Sequence, residues 1–225
     1  MSLFEPHWEA LPPAQFGIWP LLAPSVGGGL VLYGGTAAAL RLGHRTSVDF
    51  DFLTEKALDR EALFRIFKFL ARSRVVQDVQ DTLSVLAPTG AASVKLSFFG
   101  NISIGRVGVP ERTADGVLEV ASLIDLLATK LKVMQQRIEA KDYRDVAAML
   151  SSGMALGDGL AAAAAMYGPS FQPSEAAKAL TYFEGGDLSD LQARDREILI
   201  GAAARLRHIP VAGLISRSLS ADREE

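Results

Sequence analysis

The feature that most constrains the fold is the stretch at residues 30–53, which reads LVLYGGTAAALRLGHRTSVDFDFL. It begins with an apolar run at residues 30–33 and continues through Gly34-Gly35-Thr36 into a helical pattern at residues 37–42. A polar turn then leads to residues 48–52, where apolar and acidic side chains alternate. Short apolar runs and strict alternation are typical of strands, and paired glycines mark turns. The stretch therefore predicts a strand, a glycine turn, a helix, a turn and a second strand.

The second predicted strand carries two carboxylates on one face. Successive side chains alternate across a strand, so Asp49 and Asp51 point the same way and the apolar residues around them point into a core. Two carboxylates this close are costly unless a cation lies between them. A hard divalent ion with oxygen ligands, Mg²⁺ (or Mn²⁺), is the simplest resolution, which makes both aspartates predicted metal ligands. The alternative is a pair of exposed strand aspartates.

The glycine turn before the helix is suited to a polyphosphate. Gly34 and Gly35 let the backbone turn tightly and approach a ligand closely. The start of the helix offers unpaired N–H groups and the positive end of its dipole, and Thr36 can cap the helix or donate a hydroxyl to the same phosphate. A phosphate-binding turn followed by a metal-binding carboxylate pair is what nucleotidyl transfer requires. The alternative for Gly34-Gly35-Thr36 is a plain strand-to-helix turn that binds no ligand.

Together these motifs resemble a known family. Gly34-Gly35-Thr36 followed by Asp49-Phe50-Asp51 is similar to the signature of the DNA polymerase β-like nucleotidyltransferase superfamily, and the string GGTAAALRLGHRTSVDFDFL resembles its AbiEii/AbiGii toxin family. A second block, LIDLLATKLKVMQQRIEAKDYRDVAAML at residues 123–150, also resembles that family. Its members carry a Lys on one helix and an Arg- or Lys-Asp-x-x-Asp pattern opening the next. The resemblance covers roughly residues 30–150.

The resemblance implies functions for three charged residues of the second block. Lys130 lies on a helix stripe otherwise filled by leucines, where a lysine must snorkel or meet an anion. The family pattern assigns it to the nucleotide phosphates. Asp142 and Asp145 are neighbours at i, i+3 on a predicted helix, and the pattern places at least one of them in the active site, with Asp145 favoured. For Asp142 the alternative is a favourable charge in the first helical turn.

Four polar residues lie between the two halves of the first motif. One or more of them is expected to contact the triphosphate or the base, and Arg45 and Ser47 are the predicted nucleotide-binding residues beside Gly34, Gly35 and Thr36. Arg41 and His44 are the other candidates. His44 is better interpreted as a turn residue or a hydrogen-bonded support than as a general base.

One departure from the superfamily pattern concerns the chemistry. Polymerase β-like enzymes usually have a third carboxylate on a later strand, where it binds the catalytic metal and deprotonates the attacking hydroxyl. In Val94-Lys95-Leu96-Ser97-Phe98, Ser97 lies at the expected position and Lys95 shares its face. Either another acid, such as Asp142 or Asp145, substitutes, or one metal alone binds well, or the chain has lost activity.

Composition narrows the class of protein. The chain has 225 residues, 49% of them hydrophobic, which suits one ordinary domain or two small lobes. The absence of cysteine excludes disulfides and thiolate catalysis, and three histidines far apart in sequence give no zinc-like spacing. No apolar run is long enough to span a bilayer and the N-terminus does not resemble a signal peptide, so a cytoplasmic protein is expected. A net charge of −3 means that any contact with polynucleotide is local.

The remaining pattern predicts an α+β fold. After residue 53 we expect one helix over residues 60–73, a hairpin of strands at 75–80 and 82–87, and a strand at 93–99 that residues 102–104 extend. Helices follow at 123–137, 140–150, 159–167, 174–183 and 188–207, and the tail at 216–225 is expected to fray. The expected architecture is a polymerase β-like mixed sheet with flanking helices in residues 1–120, and a helical domain in residues 121–225 that contributes active-site residues.

The expected function is Mg²⁺-dependent transfer of a nucleoside monophosphate from an NTP to an acceptor hydroxyl. Resemblance to the AbiEii/AbiGii family implies the toxin of a toxin–antitoxin pair, with RNA (the 3′ end of tRNA is one candidate) or a protein side chain as acceptor and a separate antitoxin protein. Two alternatives stay open: a nucleotide-binding module with impaired catalysis, and a nucleotidyltransferase acting on a hydroxylated small molecule such as an antibiotic.

Overall fold

A computed structural model describes residues 2–90 and 92–221, which form two compact units. The first unit contains residues 2–105 (without residue 91), 109–122 and 216–221, and the second contains residues 106–108 and 123–215. Tail residues 216–221 thus belong with the sheet, whereas the sequence analysis assigned them to the helical part. Among the described residues, no helix is both long and apolar enough to cross a membrane.

The first unit is built on a mixed sheet. The strands run in the order β1-β7-β8-β2-β3-β6-β5-β4, with parallel pairs at β1–β7, β2–β8 and β3–β6. Four short helices accompany them, and the mixed sheet with flanking helices confirms the predicted α+β class. The strands are β1 Leu3–Phe4, β2 Val31–Tyr33, β3 Asp49–Leu53, β4 Arg74–Val79, β5 Thr82–Thr89, β6 Ala92–Phe99, β7 Glu111–Thr113 and β8 Glu119–Val120; the helices are α1 Pro13–Ile18, α2 Pro24–Gly28, α3 Gly34–Leu42 and α4 Arg60–Ile66.

The core of this unit lies under the centre of the sheet. Phe50 and Phe52 of β3 are fully buried, as the alternation predicted, and Phe98 of β6 stacks on Phe52 with ring centroids 5.5 Å apart. Burial of an aromatic side chain contributes on the order of 2 kcal/mol or more. This packing orients β3, because a strand with one face in the core must present its alternate residues, Asp49 and Asp51, on the other.

The glycine turn differs from the prediction in one respect. Helix α3 begins at Gly34 and not at residue 37, so Gly34-Gly35-Thr36 forms its first turn. Gly34 has φ +73°, a conformation that is costly for residues with a β-carbon, and this lets the chain pass from β2 directly into the helix. Ahead of β2, residues 24–28 form the short helix α2.

Two other predictions for this unit are wrong, and the predicted hairpin is confirmed. The helix predicted over residues 60–73 is α4 followed by a 3₁₀ segment at Lys68–Arg72, because Phe67 leaves the helical region at φ −103°, ψ 83°. Residues 102–104 form no strand, and β7 at Glu111–Thr113 is a strand that was not predicted. The hairpin of β4 and β5 is confirmed, with Asp81 at φ +55° in its turn.

Hydrogen bonds to two glutamates hold the last described residues of the chain, 218–221. Glu55 accepts from Ser218 Oγ at 3.2 Å and Leu219 N at 3.2 Å. Buried Glu119 accepts from Ser220 Oγ at 2.7 Å and Ala221 N at 2.6 Å. The prediction of a frayed tail is therefore wrong for residues 218–221, because these hydrogen bonds and the buried Leu219 hold them; residues 222–225 lie outside the described part.

The second unit is helical. Its long helices pack through close contacts: a β-carbon on Gly159 would lie 2.5 Å from Leu127 Cδ2, so glycine allows two helices to approach here. The leucine stripe predicted around Lys130 is confirmed, since Leu126, Leu127 and Leu131 are fully buried. Helix boundaries move by a few residues, and the last predicted helix separates into a 3₁₀ turn at Leu188–Asp190 and a helix. The helices are α5 Leu123–Val133, α6 Ala140–Ser151, α7 Leu156–Tyr167, α8 Pro173–Ala179 and α9 Ala193–Arg205.

Candidate active site

The first group of candidate residues lies where β2 passes into α3. Asp51 on β3 is paired in register with Tyr33, the residue immediately before Gly34. A β-carbon built on Gly34 would lie 2.5 Å from Asp51 Oδ2, which is closer than any real contact. The carboxylate therefore lies directly against the glycine backbone at the start of the helix. The structure brings together the two motif halves that the sequence separates.

Arg45 and Ser47 approach the neighbouring glycine. A β-carbon on Gly35 would lie 2.5 Å from Arg45 Nη2 and 3.2 Å from Ser47 Oγ. A guanidinium over the first turn of a helix adds positive charge to the end where the helix dipole is already positive. This geometry creates an environment suited to an anion, and it brings three of the predicted nucleotide-binding residues, Gly35, Arg45 and Ser47, to one place.

Thr36 is engaged with the protein itself. Its side chain is fully buried, and Thr36 Oγ1 lies 2.9 Å from Ser47 Oγ and within hydrogen-bonding distance of the Asp49 backbone oxygen, to which it can donate. These contacts join α3 to β3 and fix the position of β3 along its axis relative to the glycine turn. Direct binding of a phosphate by Thr36 stays a prediction.

The carboxylate face of β3 continues onto the neighbouring strand. Asp49 and Asp51 are both half-buried, and parallel pairing with β6 places Lys95 beside Asp49 and Ser97 beside Asp51. Two half-buried carboxylates beside the glycine turn form an oxygen-donor set that fits a hard divalent cation. Across the residues that the structure describes, no group of three or more His, Cys, Asp or Glu side chains is arranged to hold a metal.

Arg41 has a structural environment. Its guanidinium pairs with Glu111 at 2.6 Å, donates to the backbone oxygens of Val120 and Ala121, and lies 4.4 Å from the ring centroid of Phe4. Burial works against ionisation of Glu111, but hydrogen bonds from Arg41 and Ser2 and the charge of Arg41 hold its pKa below the ordinary value. Arg41 therefore joins α3 to β7 and β8, which leaves Arg45 as the better candidate for the nucleotide.

The second group of candidate residues forms a charged cluster between α5 and α6. Lys130 Nζ lies 2.7 Å from Asp142 Oδ1 and 2.7 Å from Asp145 Oδ2, and all three side chains are buried. Arg137 donates to Asp142 through Nε at 2.9 Å and Nη2 at 3.2 Å. Burial opposes ionisation of Asp142, but the hydrogen bonds from Arg137, the charge of Lys130 and its hydrogen bond outweigh it, so the pKa of Asp142 is lowered.

Three members of this cluster, Lys130, Asp142 and Asp145, were predicted from the sequence, and the fourth, Arg137, was not. Arg137 belongs to the connection between α5 and α6, and its place beside Asp142 depends on how that connection folds. The sequence signal that could have indicated this contact is charge, because Arg137 lies five positions before Asp142, an aspartate in the first turn of α6. Whether Lys130 binds phosphate, and whether Asp142 or Asp145 takes part in catalysis, stays a prediction.

Two known proteins are similar to this chain. A solved structure of an antigenic nucleotidyltransferase-like protein from Paracoccidioides brasiliensis superposes with a TM-score of 0.53 over 85% of this chain and 92% of that one, at 15% identity. An uncharacterised protein of Aquifex aeolicus (strain VF5) is 35% identical over 117 residues, and the match spans about half of either chain (51% of this one and 54% of that one).

The mixed sheet, with its glycine turn beside a carboxylate strand, thus has the nucleotidyltransferase fold. The family model described as nucleotidyl transferase AbiEii toxin, type IV toxin–antitoxin system, matches residues 21–199. The chain therefore belongs to the AbiEii nucleotidyltransferase toxin family, as the motifs predicted.

Proposed function

We propose that the protein is an NTP-dependent nucleotidyltransferase, the toxin of a type IV toxin–antitoxin pair. Membership of the AbiEii family supports nucleotidyl transfer as the class of reaction and implies an antitoxin partner. The observation that supports the proposal is the position of Asp51 Oδ2 against Gly34, since a carboxylate beside a glycine turn is the arrangement that a metal-bound triphosphate would need. Mg²⁺ or Mn²⁺ is the proposed cofactor.

The first unit binds and orients the triphosphate in this proposal. Backbone N–H groups in the first turn of α3 donate to phosphate oxygens, and Arg45 supplies a positive charge over Gly35. Asp49 and Asp51 hold the divalent ion, which when bound neutralises charge on the α-phosphate and the leaving pyrophosphate. Ser47 and Thr36 keep the strand and the helix in register by their hydrogen-bonding contact.

The transfer step is an in-line displacement at the α-phosphorus. The acceptor hydroxyl oxygen forms a bond to phosphorus while the bond to the α–β bridging oxygen breaks, and that electron pair leaves with pyrophosphate. The hydroxyl proton passes to a carboxylate oxygen of Asp49 or Asp51, because Ser97 on the neighbouring strand offers no carboxylate to accept it. We propose RNA or a protein side chain as the acceptor.

The test is a labelling experiment. The purified chain is incubated with Mg²⁺, each α-³²P-labelled NTP in turn, and total bacterial RNA or lysate. Label is expected in RNA or protein with wild type and absent with Asp49→Asn. Exposed Glu61→Gln in α4, which makes the same carboxylate-to-amide change, is the matched control and should label normally.

A second candidate is a nucleotide-binding module with impaired catalysis, and the neutral Ser97 beside Asp51 favours it. Measurable NTP binding without transfer of label under any condition would support this module. Label on a small hydroxylated acceptor alone would support an antibiotic-type transferase instead. Absence of both NTP binding and labelling would overturn the proposed function.

A further inference from the structure

The neighbour of the carboxylate strand carries a cation and a neutral hydroxyl where a third acid is expected. Strands β3 and β6 are parallel, with Asp49 opposite Lys95 and Asp51 opposite Ser97. The alternate pairs of the same two strands, Phe50–Leu96 and Phe52–Phe98, are fully buried on the core face. Because side chains alternate, Lys95 and Ser97 therefore lie on the same face as the two carboxylates.

Ser97 gives no negative charge to this face. Its side chain is buried, and its Oγ lies 3.1 Å from Ser84 Oγ on β5, whose side chain is also buried. A pair of hydroxyls satisfies itself without an ion, and a neutral serine is a weak metal ligand compared with a carboxylate. The position beside Asp51 thus lacks the ligand that a second cation would require.

Lys95 adds the opposite charge. It is half-buried and lies in register beside Asp49 on the neighbouring strand. Because Coulomb energy scales with the product of the two charges, an ammonium on this face repels a divalent ion more strongly than a monovalent one. The ammonium therefore lowers the net negative charge of the face and opposes the binding of a second ion there.

We propose that the Asp49–Asp51 face is built for one divalent ion, and that the Lys95 ammonium supplies the positive charge that a second ion would otherwise bring to the substrate phosphate. This inference rests on the proposed function, because it concerns the same site. It assigns Lys95 as a phosphate-neutralising residue and makes Ser97 a determinant of how many ions bind.

The test is electron paramagnetic resonance of Mn²⁺ bound to the full chain in the presence of a non-hydrolysable α,β-methylene NTP. Two ions in a shared site lie about 3.5–4 Å apart, and at that separation Mn²⁺ spins couple and broaden the six-line spectrum. Wild type is expected to give an uncoupled six-line spectrum from one bound ion. Lys95→Glu and Ser97→Asp, which each add an acid to the face, are expected to give the coupled spectrum.

Two further variants test whether the charge at residue 95 is responsible. Lys95→Met is expected to bind the first Mn²⁺ about tenfold more tightly, because the repulsive charge is removed. Lys56→Glu, at an exposed position, makes the same charge change and should leave the spectrum uncoupled. Since Ser97→Asp buries a carboxylate and could fail to fold, Lys95→Glu at its half-buried position keeps the test decisive, and circular dichroism verifies folding.

The outcomes separate this inference from the proposed function. A coupled pair in wild type would overturn the one-ion inference and leave the transferase proposal standing. An uncoupled spectrum in a folded Lys95→Glu variant would also overturn the inference. No bound Mn²⁺ in wild type, with no difference from Asp49→Asn, would overturn both.

Discussion

Asp51 Oδ2 and the backbone of Gly34 are in direct contact, so that a β-carbon at Gly34 would lie 2.5 Å from the carboxylate oxygen. Glycine is required twice here, once by this approach and once by φ +73°. The carboxylate and the start of the helix can therefore share one ligand only while residue 34 has no side chain.

Gly34→Ala should cost about 2–3 kcal/mol in the free energy of unfolding, from backbone strain and the displaced carboxylate. It should also abolish Mn²⁺ binding. Gly116→Ala is the matched control, because Gly116 has the same φ of +73° and its β-carbon would meet nothing within 4 Å. Urea unfolding should show a loss of about 1 kcal/mol for the control, with Mn²⁺ binding intact. Equal effects of both variants on Mn²⁺ binding would contradict the contact's role.

The two halves of the site were predictable to different degrees. The alternation at Asp49 and Asp51 is local, so their common face and the core position of Phe50 follow from the sequence period alone. The contact of Arg45 and Ser47 with Gly35 depends on the path of the chain between α3 and β3, and no local sequence pattern predicts that path. The break in the predicted helix at Phe67 has the same origin, since helical spacing of apolar residues continues through it while Phe67 itself is buried in the core.

Long-range partners explain most of what the sequence did not reveal. Arg41 was a candidate nucleotide ligand because it lies between the two motif halves, and its contacts with Glu111 and with the backbone of residues 120–121, all distant in sequence, give it a structural role. The tail appeared polar and exposed because its anchors, Glu55 and Glu119, are more than a hundred residues away in sequence. For Arg41 and for the tail, the partner that decides the role is distant in sequence, so no local pattern could indicate it.

Removing the lysine of the buried cluster should reveal whether it has two roles. Lys130→Met leaves Asp145 and Asp142 without their shared cation, and the loss in unfolding free energy should be about 3–5 kcal/mol. The triple variant Lys130→Met, Asp142→Asn, Asp145→Asn removes the buried charges together and should recover most of that stability. If Lys130 also binds phosphate, the triple variant should be stable but weak in NTP binding by calorimetry. Wild-type affinity in the stable triple variant would contradict the phosphate assignment.

Acid sensitivity should follow from Asp142. Because the pKa of Asp142 is lowered in the folded protein, its ion pairs stabilise the fold fully above the ordinary aspartate pKa of 3.8, and this contribution is lost as pH falls through the lower folded value. Unfolding free energy measured between pH 6 and pH 2 should therefore decline, and Asp142→Asn should flatten the decline. The exposed Asp158→Asn change is the control and should leave the curve's shape unaltered. An unchanged curve for Asp142→Asn would argue against this linkage.

The anchored tail should contribute to the stability of the sheet-containing unit. Leu219 is fully buried, so Leu219→Ala should cost about 2–4 kcal/mol, as for other truncations of buried leucines. Ser220→Ala removes the hydroxyl that donates to buried Glu119 at 2.7 Å and should cost about 1–3 kcal/mol, because the carboxylate loses a charge-assisted hydrogen bond. Exposed Arg217→Ala in the same segment is the control and should change stability by less than about 0.5 kcal/mol. Urea unfolding of the three variants measures the difference, and equal stability of all three would mean that the segment does not hold the sheet together.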